Sequence, residues 1–336
     1  MTAVQVERIL IVGLGSIGQR HLRLARQLLP YADIRVLRHR HVDGTPEYAN
    51  GTFFDLRDAL VFRPQLAVIA NPAPMHAKAA IALAGVGAHL LIEKPLAATV
   101  SDGEGILASC KAAGVICQVA YNLRFLPSLR RFRELLAEGV VGRILSVRCE
   151  IGQYLPSWRP DKDYRDAVSA NRSLGGGALL ELSHELDYLR WLFGEYAWVK
   201  SYLGTQSRLE IDVEDTVHVL IGFAPDELGK EVVANLSMDF VRHDTTRECT
   251  VIGENGSLRW DAIVGQLEIC WPGGYWSPLA SHKTQRDDSY IAEWQCWLSA
   301  IETRTLPEVT LEDGLRVLNV IDAIRSASQF DKTIRL

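Results

Sequence analysis

Between residues 8 and 120, short apolar runs alternate with stretches in which apolar positions recur every three to four residues. Apolar blocks of four to six residues fit strands buried on both faces, and the longer spacing fits helices that cover them. Their alternation predicts βαβ units around a parallel sheet. The first strand is expected at Ile9–Gly13. Its helix runs from Ile17 to Leu29 and stops at Pro30, which has no N–H to donate. Later strands are expected at Ile34–Leu37, Leu66–Ala70, Ala88–Ile92 and Val115–Ala120.

Beyond Gly142 the period changes to two, with strands expected at Arg143–Ile151, Val217–Phe223, Val232–Met238, Glu248–Gly253 and Gly265–Trp271. Alternation of this kind, broken by turns, predicts a largely antiparallel sheet. One long helix, Ala178–Phe193, interrupts it, and two more are expected at Ser289–Thr303 and Leu311–Ser328. No internal repeat or low-complexity linker divides the chain.

At 336 residues the chain exceeds what one core usually serves, so two domains are expected. Apolar residues make up 48% and charged residues 23%, which excludes a disordered or fibrous protein. The net charge of −5 comes from interspersed acids and bases, without the basic stripe that nucleic acid requires. The start, MTAVQVERILIVG, lacks a signal-peptide pattern, and no apolar run reaches the roughly 18 to 20 residues of a membrane span. A cytoplasmic protein with no membrane partner is expected. The six cysteines are scattered with no metal-binding spacing, so they are read as reduced packing residues and no metal is expected.

Gly13-Leu14-Gly15-Ser16-Ile17-Gly18 fits GxGxxG and lies between the apolar strand and its helix, the context that makes the motif specific. The first glycine allows the tight turn, the second admits a pyrophosphate to the backbone, and the third lets helix and strand pack closely. The helix N-terminal amides, at Ser16 and Ile17, then hold phosphate. This predicts a Rossmann domain, a doubly wound parallel sheet, over residues 1–121. An α+β domain with a large, mainly antiparallel sheet follows over 122–336; it is expected to bind substrate and to carry subunit contacts, with the C-terminal helix packed near the first domain. NAD enzymes place an acid at the end of the second strand for the ribose hydroxyl. Here that strand ends in Arg38-His39-Arg40, which suits a 2′-phosphate, while Asp33 lies at the wrong end. NADP(H) is therefore the preferred cofactor and NAD(H) the alternative.

The strand Leu90-Leu91-Ile92 delivers Glu93-Lys94-Pro95 to the carboxyl edge of the sheet, where open α/β sheets bind ligands. With Ile69-Ala70-Asn71-Pro72, His76, the segment Gln118 to Phe125 and the run Gly175-Gly176-Gly177-Ala178-Leu179-Leu180, the chain resembles the family of glucose-fructose oxidoreductase, inositol dehydrogenase and MocA over nearly its whole length. The resemblance implies that Lys94 meets the reacting oxygen and that a cis bond precedes Pro95. It also implies that Asn71, Pro72, His76, Glu93, Lys94 and Asn122 line the cofactor.

In the family, a histidine and an aspartate stand on the helix after the glycine run, and His184 with Asp187 matches that His-x-x-Asp. Helical spacing puts Glu181, His184 and Asp187 on one polar stripe, opposite Leu182, Leu186, Leu189 and Phe193. His184 is the acid/base candidate, because imidazole can take and return a proton near neutrality. The family's further aspartate, four residues before the histidine, is Leu180 here. Either Glu181 substitutes for it, or Lys94 and His184 work without that carboxylate.

The loop from Gln153 to Arg165 is rich in aromatic residues and arginine. Trp158 and Tyr164 suit stacking on a sugar or base, Arg159 and Arg165 suit a carboxylate or phosphate, and Tyr154 is a further substrate-binding candidate. A packed crossover segment is the alternative. Tyr121 and Arg124 join the substrate-binding candidates. The expected activity is hydride transfer between nicotinamide and a secondary alcohol or ketone carbon of a sugar, polyol or sugar nucleotide. A non-catalytic NADP(H) sensor and an imine or enone reductase are the competing readings. The antiparallel sheet is expected to leave one face uncovered by its own helices, which predicts a homodimer or homotetramer.

Overall fold

The computed structural model describes residues 6–39, 44–225 and 229–336. By internal packing they form two compact units, residues 1–121 with 291–318, and residues 122–290 with 319–336.

The first unit opens as β1 (Arg8–Val12), α1 (Ser16–Leu28), β2 (Asp33–Leu37), β3 (Gly51–Phe53), α2 (Leu56–Val61), β4 (Leu66–Ile69), α3 (His76–Gly85), β5 (His89–Glu93), α4 (Val100–Ala113) and β6 (Cys117–Ala120). Its six strands are parallel in the order β3-β2-β1-β4-β5-β6. The chain winds outward in both directions from β1, so the β1/β4 junction is the switch point where such sheets open a ligand crevice. Each strand expected from the apolar runs is present within two residues of its expected bounds. The three-residue β3 is too short to leave a periodic signal. Ile9, Leu10, Ile11, Leu90, Leu91 and Ile92 have no exposed surface, and each such side chain contributes about 1.5–3 kcal/mol of burial.

The second unit contains α5 (Pro127–Ala137), β7 (Ile144–Gly152), α6 (Ala178–Glu181), α7 (His184–Phe193), β8 (Tyr196–Gly204), β9 (Thr216–Phe223), β10 (Val233–Asp239), β11 (Thr246–Gly253), β12 (Ser257–Asp261), β13 (Gln266–Cys270) and β14 (Ser277–Ser281). The sheet has nine strands in the order β14-β13-β12-β11-β7-β10-β9-β8-β15, where β15 is Ile334–Arg335. All neighbours are antiparallel except β7 and β10. The period of two divides its faces: Val147, Cys149, Val217, Val219 and Ile221 are buried, whereas Arg148, His218 and Leu220 are exposed. β14 carries no alternation because it is an exposed edge.

Between β14 and β15 run α8 (Asp288–Thr303) and α9 (Leu311–Gln329). From Ile291 to Leu318 this segment belongs to the first unit, where Trp294 and Trp297 are wholly buried. Among the described residues no helix is long and apolar enough to cross a membrane.

Candidate functional site

Three glycines shape the turn after β1, each for a different reason. Gly13 has φ +88°, and a Cβ there would lie 2.7 Å from the Asn71 amide nitrogen. A side chain at Gly18 would overlap the Gly13 carbonyl oxygen. A Cβ on Gly15 would meet nothing within 4 Å, so the middle glycine faces open space. Gly15 also caps α1 without a side chain, and the first turn holds no acid. Unsatisfied amides and the positive end of the helix dipole therefore suit an anion, and the turn fits a dinucleotide pyrophosphate.

At the end of β2, the half-buried Arg38 donates its amide to the Phe53 carbonyl, and His39 is exposed. Arg40 lies outside the described residues. Asp33, at the start of β2, is held by Arg35 at 3.0 Å. Across the switch point, Asn71 and Pro72 follow β4. His76 is buried with its ring nitrogens 2.8 Å from the Asn71 carbonyl and 3.2 Å from that of Leu96. Burial pushes its pKa down against the opposing pull of those carbonyls. His76 thus ties the loop after β4 to the segment after β5.

β5 carries Glu93 and Lys94 to the same edge. The Lys94–Pro95 bond is cis, as the resemblance implies, and Lys94 is half-buried. Glu93 is 7% exposed. One of its oxygens accepts the Lys94 amide at 3.1 Å and the other lies 2.8 Å from His21 Nε2. His21, on the buried face of α1, receives the Trp294 indole N–H at Nδ1 across 2.9 Å. Glu293, beside Trp294 on α8, is fully buried with both carboxyl oxygens outside any hydrogen bond. Burial, reinforced by the negative charge of Glu93, pushes the Glu293 carboxyl well above the usual carboxylate range.

In the second unit the expected helix Ala178–Phe193 is interrupted at Leu182 and Ser183, between α6 and α7. The interruption breaks the helical phase between Glu181 and His184, while His184 and Asp187 keep their spacing within α7. Glu181 and His184 are half-buried, while Asp187 is 1% exposed. Both Asp187 oxygens are bound by Arg124, at 2.8 Å from Nε and 2.6 Å from Nη2, in a bidentate pair. Asp187 is therefore committed to a buried pair with Arg124. On the other hand, Glu181 accepts the Ser169 hydroxyl at 3.1 Å. Asn122 is buried and donates to the Ser289 hydroxyl at 2.8 Å.

The aromatic loop is largely satisfied by its own surroundings. Trp158 donates to the Gln153 carbonyl and packs edge-on against Phe240 with centroids 5.2 Å apart. Tyr154 lies against His243 at 4.6 Å, and the Tyr164 hydroxyl accepts the Glu210 amide. Arg165 is paired with Asp163 and Glu210, whereas Arg159 is exposed. Tyr121, which belongs to the first unit, is wholly buried. Among the described residues no cluster of three or more histidines, cysteines or acids is arranged to hold a metal.

His21, Trp294 and Glu293 had no place in the sequence reading. His21 alone left a trace, a histidine on the apolar face of the helix that begins at the glycine motif.

Residues 7–121 match the description "Oxidoreductase family, NAD-binding Rossmann fold", and residues 133–336 match "Oxidoreductase family, C-terminal alpha/beta domain". Levoglucosan dehydrogenase of Pseudarthrobacter phenanthrenivorans is 32% identical over 185 residues, which is 48% of this chain and 47% of that one. D-xylose 1-dehydrogenase (NADP(+)) 2 of Haloferax volcanii is 26% identical over 85% of each chain. Among solved structures, a levoglucosan dehydrogenase in complex with NADH and L-sorbose superposes with a TM-score of 0.83, at 21% identity, covering 98% of both chains. At that identity the superposition speaks for the fold.

Proposed function

Because the chain belongs to the Gfo/Idh/MocA oxidoreductase family, we propose that it transfers hydride between a nicotinamide dinucleotide and a secondary alcohol or ketone carbon of a sugar, polyol or sugar nucleotide. One observation carries the reading. Lys94 leaves β5 at the same sheet edge where the glycine turn after β1 fits a pyrophosphate. Relatives named for levoglucosan and D-xylose support the substrate class.

The dinucleotide, when bound, supplies the ring carbon that accepts or returns the hydride. The Lys94 ammonium hydrogen-bonds the reacting oxygen and stabilises the negative charge that develops there. His184 takes the hydroxyl proton in oxidation and gives it back in reduction. Glu181, half-buried and three residues before His184, serves as its carboxylate partner. Asp187 acts indirectly, fixing α7 through its pair with Arg124. Asn71, Pro72, His76 and Asn122 line the cofactor or support its walls. Tyr121, Tyr154, Trp158, Arg159 and Tyr164 contribute to the substrate pocket. Arg165 is the weakest member, since two carboxylates already balance its charge.

NADP(H) is the preferred dinucleotide, because β2 ends in Leu37-Arg38-His39 with no carboxylate for a ribose hydroxyl. The uncovered sheet face bearing Arg148, His218 and Leu220 supports a homodimer or homotetramer, which light scattering would measure.

The test is a screen of sugars and polyols against NADP(+) and NAD(+), followed by Lys94→Ala and His184→Ala. Each substitution should lower kcat by at least 100-fold with cofactor affinity within about twofold, as transition-state roles require. Turnover preserved in both would reject this active site. An imine or enone substrate in the same screen would move the reading to that reductase class.

A further inference from the structure

Burying an imidazole is costly unless both nitrogens are paired. His21 has no exposed surface, and its two nitrogens bind different partners on different elements. An indole N–H only donates, so His21 Nδ1 must be the acceptor and the ring proton sits on Nε2. That proton points at Glu93 Oε1, 2.8 Å away, and Glu93 Oε2 in turn accepts the Lys94 amide. The direction of each hydrogen bond is thereby fixed from α8 through α1 to the end of β5. Nothing in the hydrophobic packing of this unit asks for such a chain. Leucine at 21 and phenylalanine at 294 would fill much the same space without polar groups to satisfy.

We propose that Trp294 and His21 are positioning residues for Lys94, acting through Glu93. Trp294 selects the tautomer of His21, His21 orients the Glu93 carboxylate, and Glu93 clamps the backbone that presents the Lys94 ammonium. The inference rests on the assignment of Lys94 to the reacting oxygen. Displacements of about 1 Å at a reacting centre cost about 100-fold in rate, so a clamp three groups deep has a purpose that packing alone does not supply.

The test uses the full chain. Histidine 15N spectra of the protein without cofactor, with His21 assigned by its loss in His21→Gln, should show the Nε2–H tautomer in the wild type and a changed pattern in Trp294→Phe. The Nδ1–H tautomer in the wild type would overturn the proposal. Reductive 13C-methylation then reports on Lys94, its signal assigned with Lys94→Arg. The Lys94 resonance should move in His21→Leu and Trp294→Phe and return towards its wild-type position in His21→Gln, whose amide can still donate to Glu93. An unmoved resonance in both of the first two variants, or equal movement in all three, overturns the clamp. With the sugar identified by the screen, His21→Leu should lower kcat by about 10- to 100-fold while KM and cofactor Kd change less than twofold, and His21→Gln should recover most of the loss. If Lys94→Ala abolishes turnover while His21→Leu and Trp294→Phe keep wild-type kcat, only the clamp fails. If Lys94→Ala keeps wild-type turnover, the assignment of Lys94 fails, whatever the resonance does.

Discussion

Replacing Glu293 by glutamine should change how stability depends on pH, and the size of the change follows from the burial of one carboxyl group. Glu293 has no exposed surface, and neither oxygen is hydrogen-bonded. Burial first, and the charge of Glu93 second, raise its pKa well above 4.5. The sign follows from which state holds the proton. Above the unfolded-state pKa the unfolded chain releases it, while the folded protein keeps it until the raised folded pKa is reached. Over that interval the folded state binds one more proton, so stability is greatest below the unfolded pKa and declines as pH rises. The slope is about 1.4 kcal/mol per pH unit for one proton. Glu293→Gln removes this term. Its amide also needs partners, a pH-independent cost of about 1–3 kcal/mol, so the absolute stability at one pH decides nothing. The quantity to measure is the difference between variant and wild type from pH 5 upward, by thermal and urea melts followed by circular dichroism. That difference should shift in favour of the variant by about 1.4 kcal/mol per pH unit, or about 2–4 °C in Tm per kcal/mol for a unit of this size. Parallel pH curves for the two proteins would refute the reasoning, because they would mean that Glu293 titrates alike in the folded and unfolded states.

Arg124→Ala removes both charge-assisted hydrogen bonds to the buried Asp187 carboxylate, so it should cost about 3–5 kcal/mol in a urea melt, and Arg124→Leu with Asp187→Leu should recover much of that loss. Gly13→Ala forces a Cβ to 2.7 Å from the Asn71 amide at a φ of +88°; it should abolish NADPH binding in a fluorescence titration and lower Tm. Arg38→Ala should weaken NADPH binding by at least 10-fold and leave NADH binding within about twofold, the pattern expected if one charge-assisted pair to a 2′-phosphate is lost; equal effects on both would place Arg38 outside the ribose site.

The parallel sheet was legible because its evidence is local. Runs such as Leu90-Leu91-Ile92, buried on both faces, can be read without knowing their neighbours, and the glycine motif states backbone requirements that act within six residues. The position of Glu93-Lys94-Pro95 at the end of β5 was legible for the same reason, since the triplet follows directly from a strand that announces itself. Helix phase was less so. The stripe of Glu181, His184 and Asp187 assumed a continuous helix, but the interruption at Leu182 and Ser183 separates Glu181 from the other two, and Asp187 is taken up by Arg124, 63 residues earlier in the chain. The return of residues 291–318 to the first unit is further still from local reach, as it brings Trp294 to His21 across 273 positions. The sequence by itself determined the alternation of strands and helices, the shape of the glycine turn and the residue types at the sheet edge, because those depend on local backbone sterics and on period. The tertiary structure alone decided which buried polar groups meet, because a hydrogen bond between distant positions exists only once the surrounding packing has brought them together and removed the water that would otherwise satisfy them.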